Sequence, residues 1–139
     1  MITDHHQLLA PLAAIAAGEN RAVATIDLPG AFLNSDMSLD GDHAVLMRLN
    51  KYLTNILDNS HQKYVNEKGT VVIKLKKALY GCVESAKLWY DKISSDLTQL
   101  GYKVNPSDIL VFNRTELDST QTTLVIHVDD MMISSRDKK

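Results

Sequence analysis

Residues 124–134 (LVIHVDDMMIS) constrain this chain more than any other stretch. Two adjacent carboxylates, Asp129 and Asp130, interrupt a run of strand-forming residues. That pattern predicts a β-hairpin with two negative charges at its tip. Aspartate suits turns, so a solvated hairpin turn is one reading. The other begins with a third aspartate, Asp27, which ends an apolar strand far upstream (RAVATID, residues 21–27). If these strands share a sheet, three carboxylates converge, and such a cluster repels itself unless a cation sits in it.

The 139 residues suit one domain with room for a core. A net charge of -2 carries no global signature of a nucleic-acid binder, so any such contact would use local patches. The one cysteine, Cys82, excludes an internal disulfide and fits a reducing compartment. No apolar run is long enough for a membrane span. The apolar residues 8–17 lack the preceding positive charge of a signal peptide.

Along the chain, residues 4–17 predict a helix capped by Asp4, with Leu8, Leu12 and Ile15 on one face, an awkward Pro11 and a stop at Gly18. In strand 21–27, Val23, Thr25 and Asp27 point one way; Ala22, Ala24 and Ile26 point the other, as if under a helix. Pro29-Gly30 breaks it, residues 31–33 start a short turn or helix, and residues 38–42 form a polar loop. A strand at 45–49 precedes a short helix capped by Asn50 with Leu53, Ile56 and Leu57 as its stripe. Residues 58–69 form a polar surface connection, and residues 70–75 a β-branched strand. The clearest helix spans 85–100, with Ala86, Trp89, Ile93, Leu97 and Leu100 inward and Gly101 as its stop. Residues 102–104 are extended, and 109–113, 122–128 and 131–135 make an antiparallel meander with a polar turn at 116–121. The fold class is α+β.

On strand 122–128, Val125, His127 and Asp129 share a face, and Asp130 lies at the tip. Should strand 21–27 lie beside it, Asp27 and Asp129 fall on one side of the sheet. Oxygen-only donors of this kind suit Mg²⁺, and two such ions about 4 Å apart can clamp an in-line phosphoryl transfer.

Three strings together carry a family resemblance. Residues 25–34 (TIDLPGAFLN) resemble the first catalytic motif of reverse transcriptases, an apolar strand ending in Asp with an aromatic five residues on. Residues 74–90 (KLKKALYGCVESAKLWY) resemble the long motif of Ty1/copia-class retrotransposon polymerases, and residues 125–131 (VIHVDDM) resemble their Asp-Asp hairpin. The three occur in family order, and the resemblance covers roughly residues 5–135. It implies a right-hand polymerase palm over residues 1–139 with part of the fingers, and RNA-directed DNA polymerase chemistry.

The resemblance implies roles residue by residue. Asp27 and Asp129 would be the principal ligands of two Mg²⁺ (or Mn²⁺) ions, and Asp130 would complete the acidic cluster. Phe32 would lie under the incoming sugar and exclude a 2′-hydroxyl; its plainer reading is a core aromatic. Backbone amides of Leu28, Pro29, Gly30 and Ala31 would approach the triphosphate. Tyr80 and Gly81 would approach nucleotide and template, with a plain turn as the alternative for Gly81. Lys74, Lys76, Lys77 and Lys87 would meet template phosphates, or simply form a solvated edge. Trp89 and Tyr90 read as packing groups, and Cys82 as a small buried residue.

Departures from the family pattern are His127, where tyrosine is usual, Ser85-Ala86 in place of a small-Pro step, and a loop 36–44 without the usual acidic run. The basic fingers strands, thumb, connection and RNase H are expected outside this sequence, with weak or no polymerase activity for the chain alone. The implied partners are an RNA or DNA template with its primer, deoxynucleoside triphosphates and the remainder of a retrotransposon polyprotein. The implied location is intracellular, in a cytoplasmic virus-like particle or the nucleus, with no membrane. A non-catalytic remnant of the same fold is the competing reading. A phospho-acceptor signalling domain also gathers aspartates around Mg²⁺. It places its acidic pair early and its lone Asp later, the reverse of the order here.

Overall fold

A computed structural model describes residues 6–37 and 44–136, with side chains from Ala10 onward. The expected cap Asp4, the loop centred on 38–42 and the last three residues lie outside the described residues. The chain forms two compact units: Met1–Ala31 with Trp89–Lys139, and Phe32–Leu88.

The first unit is a five-stranded antiparallel sheet with two helices. Its strands are β1 (Ala22–Asp27), β4 (Lys103–Asn105), β5 (Asp108–Thr115), β6 (Gln121–His127) and β7 (Asp130–Ser135). The spatial order is β1-β7-β6-β5-β4. Strand β1 therefore does not lie beside β6: β7 separates them, with Ala22 opposite Ser135 and Asp27 opposite Asp130. All of β1 is exposed, so Ala22, Ala24 and Ile26 have no helix over them. As an edge strand, β1 pairs on one side only.

Helix α4 (Ser85–Gln99) begins in the other unit and runs into this one. Trp89, Ile93 and Leu97 are buried, as are Phe112, Leu124, Ile126 and Met131 from one face of the sheet. Burial of each of these large side chains contributes about 1.5–3 kcal/mol. Ala86 and Leu100, expected on the same stripe, are exposed: Ala86 is in the first turn of the helix and Leu100 follows its last residue. Gly101 adopts φ 87°. The amides of Tyr102 and Gly101 close back on the carbonyls of Leu97 and Thr98, a Schellman termination.

Helix α1 (His6–Gly18) passes through Pro11 without ending. It ends at Gly18 as expected, but the left-handed residue of its termination is Asn20, which takes φ 53° while Arg21 N–H bonds the Ala16 carbonyl. Asn tolerates the left-handed region better than most residues. Ala16 is the buried residue here, whereas Ile15 is 49% exposed.

The second unit holds β2 (Leu46–Leu49) and β3 (Val71–Lys74), paired antiparallel, with α2 (Lys51–Thr54) and α3 (Asn59–Gln62) between them. Asn50 accepts the Leu53 amide and caps α2 as expected. The expected stripe does not form: Leu53 and Ile56 are exposed and Leu57 is half-buried. Four residues are too few to present a helical face. Thr54 is buried instead, its hydroxyl donating to the Lys51 and Gly69 carbonyls.

Candidate functional site

Two constellations contain the residues singled out from sequence, one in each unit. In the first, β6 and β7 are joined by the two-residue turn Val128-Asp129, closed by the pair His127 and Asp130. Asp129 is thus in the turn, while Asp130 opens β7; the expected positions of the two are exchanged. Register places Asp27, Asp130 and His127 side by side across three strands, on one face of the sheet. Asp129 joins from the turn, where its carbonyl accepts the Leu28 amide at 2.7 Å. All three aspartates are exposed.

The turn is held in an unusual conformation. Val128 has φ 48°, a region that β-branched residues avoid, and Asp129 does not share it. A two-residue hairpin with only its first turn residue at positive φ normally takes glycine there. The carbonyl of Val128 is fixed from outside: the buried Trp89 Nε1–H donates to it at 2.6 Å. Sequence reasoning treated Trp89 as packing alone. Its indole N–H, which needs a partner when buried, was the available signal.

Among the described residues, no group of three His, Cys, Asp or Glu side chains stands close enough together to hold a metal ion. Exposed carboxylates on tethered backbone are the right donor chemistry for Mg²⁺, but their side chains are not gathered as they stand. The amide of Leu28 is committed to Asp129 and Pro29 has no N–H. Neither residue therefore offers an N–H to a triphosphate as the chain stands.

The second constellation unites Phe32 and Tyr80. Their ring centroids are 5.5 Å apart at 41°, within the range of tilted aromatic pairs. Phe32 opens onto a 3-10 turn (Ala31–Asn34) and is partly exposed; Tyr80 is 83% exposed. Two hydrogen bonds join the strings: Ala78 N–H to the Ser35 carbonyl, and Met37 N–H to that of Lys76. Lys77 makes an ion pair with Asp36 at 2.6 Å. Lys74, Lys76, Lys77 and Lys87 are all exposed.

Gly81 has φ 94°. A Cβ built there would meet nothing within 4 Å, so backbone conformation, and not close approach within the chain, requires glycine. Ser85, 1% exposed, ties down the same loop: its hydroxyl donates to the Leu79 carbonyl at 2.7 Å and accepts the Leu79 amide. It stands where the sequence departs from the small-Pro step, and its role is to position Tyr80 and Gly81.

Residues 5–139 match the family described as "Reverse transcriptase (RNA-dependent DNA polymerase)". The chain belongs to this family. It is 27% identical over 124 residues, 89% of its length, to a retrovirus-related Pol polyprotein from transposon TNT 1-94 of Nicotiana tabacum. It is 29% identical over 136 residues, 97% of its length, to the truncated transposon Ty1-A Gag-Pol polyprotein of Saccharomyces cerevisiae. The same figures hold for the Ty1-DR5 Gag-Pol polyprotein of that yeast. The chain spans 8%, 10% and 6% of these three relatives, respectively. The likeness is thus to copia-type retrotransposon reverse transcriptases. No solved structure matches the chain. Among the described residues no helix is long and apolar enough to cross a membrane.

Proposed function

We propose that this chain is the palm, with part of the fingers, of a retrotransposon RNA-directed DNA polymerase that acts within a polyprotein like those of its relatives. The reaction is transfer of a deoxynucleotide to a primer 3′-hydroxyl. The observation that carries this reading is the register that sets Asp27 opposite Asp130, with Leu28 tied to Asp129. Carboxylates far apart in sequence are thereby joined at one end of a sheet.

Asp27 and Asp129, with Asp130 beside them, are the residues that would hold two Mg²⁺ ions, or Mn²⁺ in their place. When bound, the ions neutralise charge on the phosphates and the attacking and leaving oxygens. The chain's own work is positioning. Trp89 and the Val128 turn orient Asp129. Phe32, braced by Tyr80, supports the sugar and disfavours a 2′-hydroxyl. Lys74, Lys76, Lys77 and Lys87 meet the phosphates of an RNA or DNA template with its primer.

The deciding experiment is incorporation by an assembled polymerase that contains this segment. Asp129→Asn abolishes Mg²⁺-dependent incorporation, and Phe32→Ala raises ribonucleotide use. Retained turnover in the first variant sinks the assignment of the carboxylates. An unchanged sugar preference in the second removes Phe32 from its role. Absence of turnover even with the native residues favours the non-catalytic remnant.

A further inference from the structure

Between helix α1 and the five-stranded sheet lies a cavity of about 170 Å³. Its floor is a polar row across three strands: register sets Asn113 opposite Thr123, and Thr123 opposite Ser134. These side chains share a sheet face with Asp27 and Asp130 but stand at the far end of the strands. Ser134 lies four residues from Asp130, roughly 13 Å at the rise of an extended strand. Leu12, Ile15 and Val111 complete the lining with apolar surface.

The polar lining has donors to spare. Ser134 is 3% exposed, and its hydroxyl has no partner among the described residues. The Asn113 side-chain oxygen accepts from Gln121 at 2.7 Å and from Thr123 at 3.0 Å, while its amide nitrogen has no partner among the described residues. Arg21 donates from Nε to Glu19 and from Nη1 to the Gln121 carbonyl, which leaves Nη2 over. Glu19 also pairs with Arg136 at 3.4 Å, so two guanidinium groups share one carboxylate and a positive charge remains beside the cavity. A buried donor without an acceptor costs free energy that a bound oxyanion recovers.

We propose that this cavity binds a small aliphatic monocarboxylate. Its oxygens accept from Ser134, Asn113 and Arg21, and its tail lies against Leu12, Ile15 and Val111. At about 30 Å³ per water, the volume equals roughly five or six waters, so a molecule of about six non-hydrogen atoms such as isobutyrate fits. A phosphate suits the cavity less. One guanidinium shared with Glu19 does not balance two charges, and the apolar side offers the extra oxygens no donor. Binding here is independent of the polymerase reading and uses the end of the sheet which that reading leaves idle.

Amide NMR of the 139-residue chain, titrated with sodium isobutyrate at constant ionic strength, tests this. Saturable shifts of the Ser134 and Thr123 amides and of the Asn113 side-chain amide are expected, with a Kd of about 1 mM for so small a ligand. Ser134→Ala weakens binding about tenfold. Ile15→Trp, at a position 49% exposed and so tolerant of size, fills the cavity and abolishes the shifts. Isobutyramide, the uncharged isostere, binds at least about tenfold more weakly. Circular dichroism checks that each variant is folded. Absence of saturable shifts up to about 50 mM isobutyrate means a cavity that holds water only, and overturns the proposal. Equal affinity for isobutyramide overturns it as well, as does undiminished binding by both folded variants.

Discussion

Trp89→Phe isolates the contact that holds the Asp129 turn. The indole is 6% exposed and donates to the Val128 carbonyl at 2.6 Å. Phenylalanine keeps most of the packing beside Ile93 and Leu97 but has no donor. Leaving a largely buried acceptor unpaired costs about 1–3 kcal/mol, and the smaller ring loses roughly another 1 kcal/mol of burial. The expected loss is therefore about 2–4 kcal/mol, against about 3–5 kcal/mol for Trp89→Ala. Urea unfolding measures it as a lower midpoint at unchanged slope. Far-UV circular dichroism must be the probe, because Trp89 is the only tryptophan and fluorescence would disappear with it. The amide of Asp129 should also exchange faster, since its turn loses an anchor. If Trp89→Phe stays within about 0.5 kcal/mol of wild type while Trp89→Ala is costly, the N–H bond contributes nothing.

Three further outcomes follow from backbone and charge. Val128→Gly relieves the φ of 48°; the strain released, about 1–2 kcal/mol, exceeds the entropy cost of glycine, so the unfolding midpoint rises slightly. Gly81→Ala destabilises by about 1–2 kcal/mol despite open space around it, whereas Gly18→Ala, at a helix end without positive φ, is neutral or stabilising; thermal unfolding of the pair separates conformation from packing. The Ser60 hydroxyl and then His61 hold the Asp58 carboxyl at about 2, below its ordinary 3.8. Because the folded value is depressed, the stabilisation is present above 3.8 and is lost as pH falls through about 2. Carboxyl NMR titration should show this midpoint, and Ser60→Ala should raise it.

Much of the fold was legible locally. The β-branched strand expected at 70–75, the stripe Trp89-Ile93-Leu97 and the polar turn expected at 116–121 are each fixed by near neighbours, and the strand (Val71–Lys74) and the turn (116–120) stand within one residue of those bounds. The failures share a cause. Ile56 and Leu53 are apolar at helical spacing, yet α2 lasts four residues and has no face to bury. Helix α1 ends at Gly18 as expected, but the left-handed position falls two residues later at Asn20, where its amide and that of Arg21 close the last turn. The alanines of β1 suggested a covering helix, and exposure on both faces shows that small side chains alone do not imply one. Ser85, which reads as a departure from the family pattern, became interpretable only through its two bonds to Leu79.

The sequence by itself determined the chemical inventory: Asp27, Asp129 and Asp130, the aromatic five residues after the first, and the family to which their order belongs. Those facts are carried by residue identity and spacing. Tertiary structure decided which aspartate faces which. Strand β7 inserts between β1 and β6, so Asp27 meets Asp130, and Asp129 enters through the turn and its carbonyl. Pairing order and register arise from long-range hydrogen bonds and burial summed over the whole sheet. No local stretch of sequence contains that information, because a slip of one residue would leave every local propensity intact while turning each side chain to the opposite face.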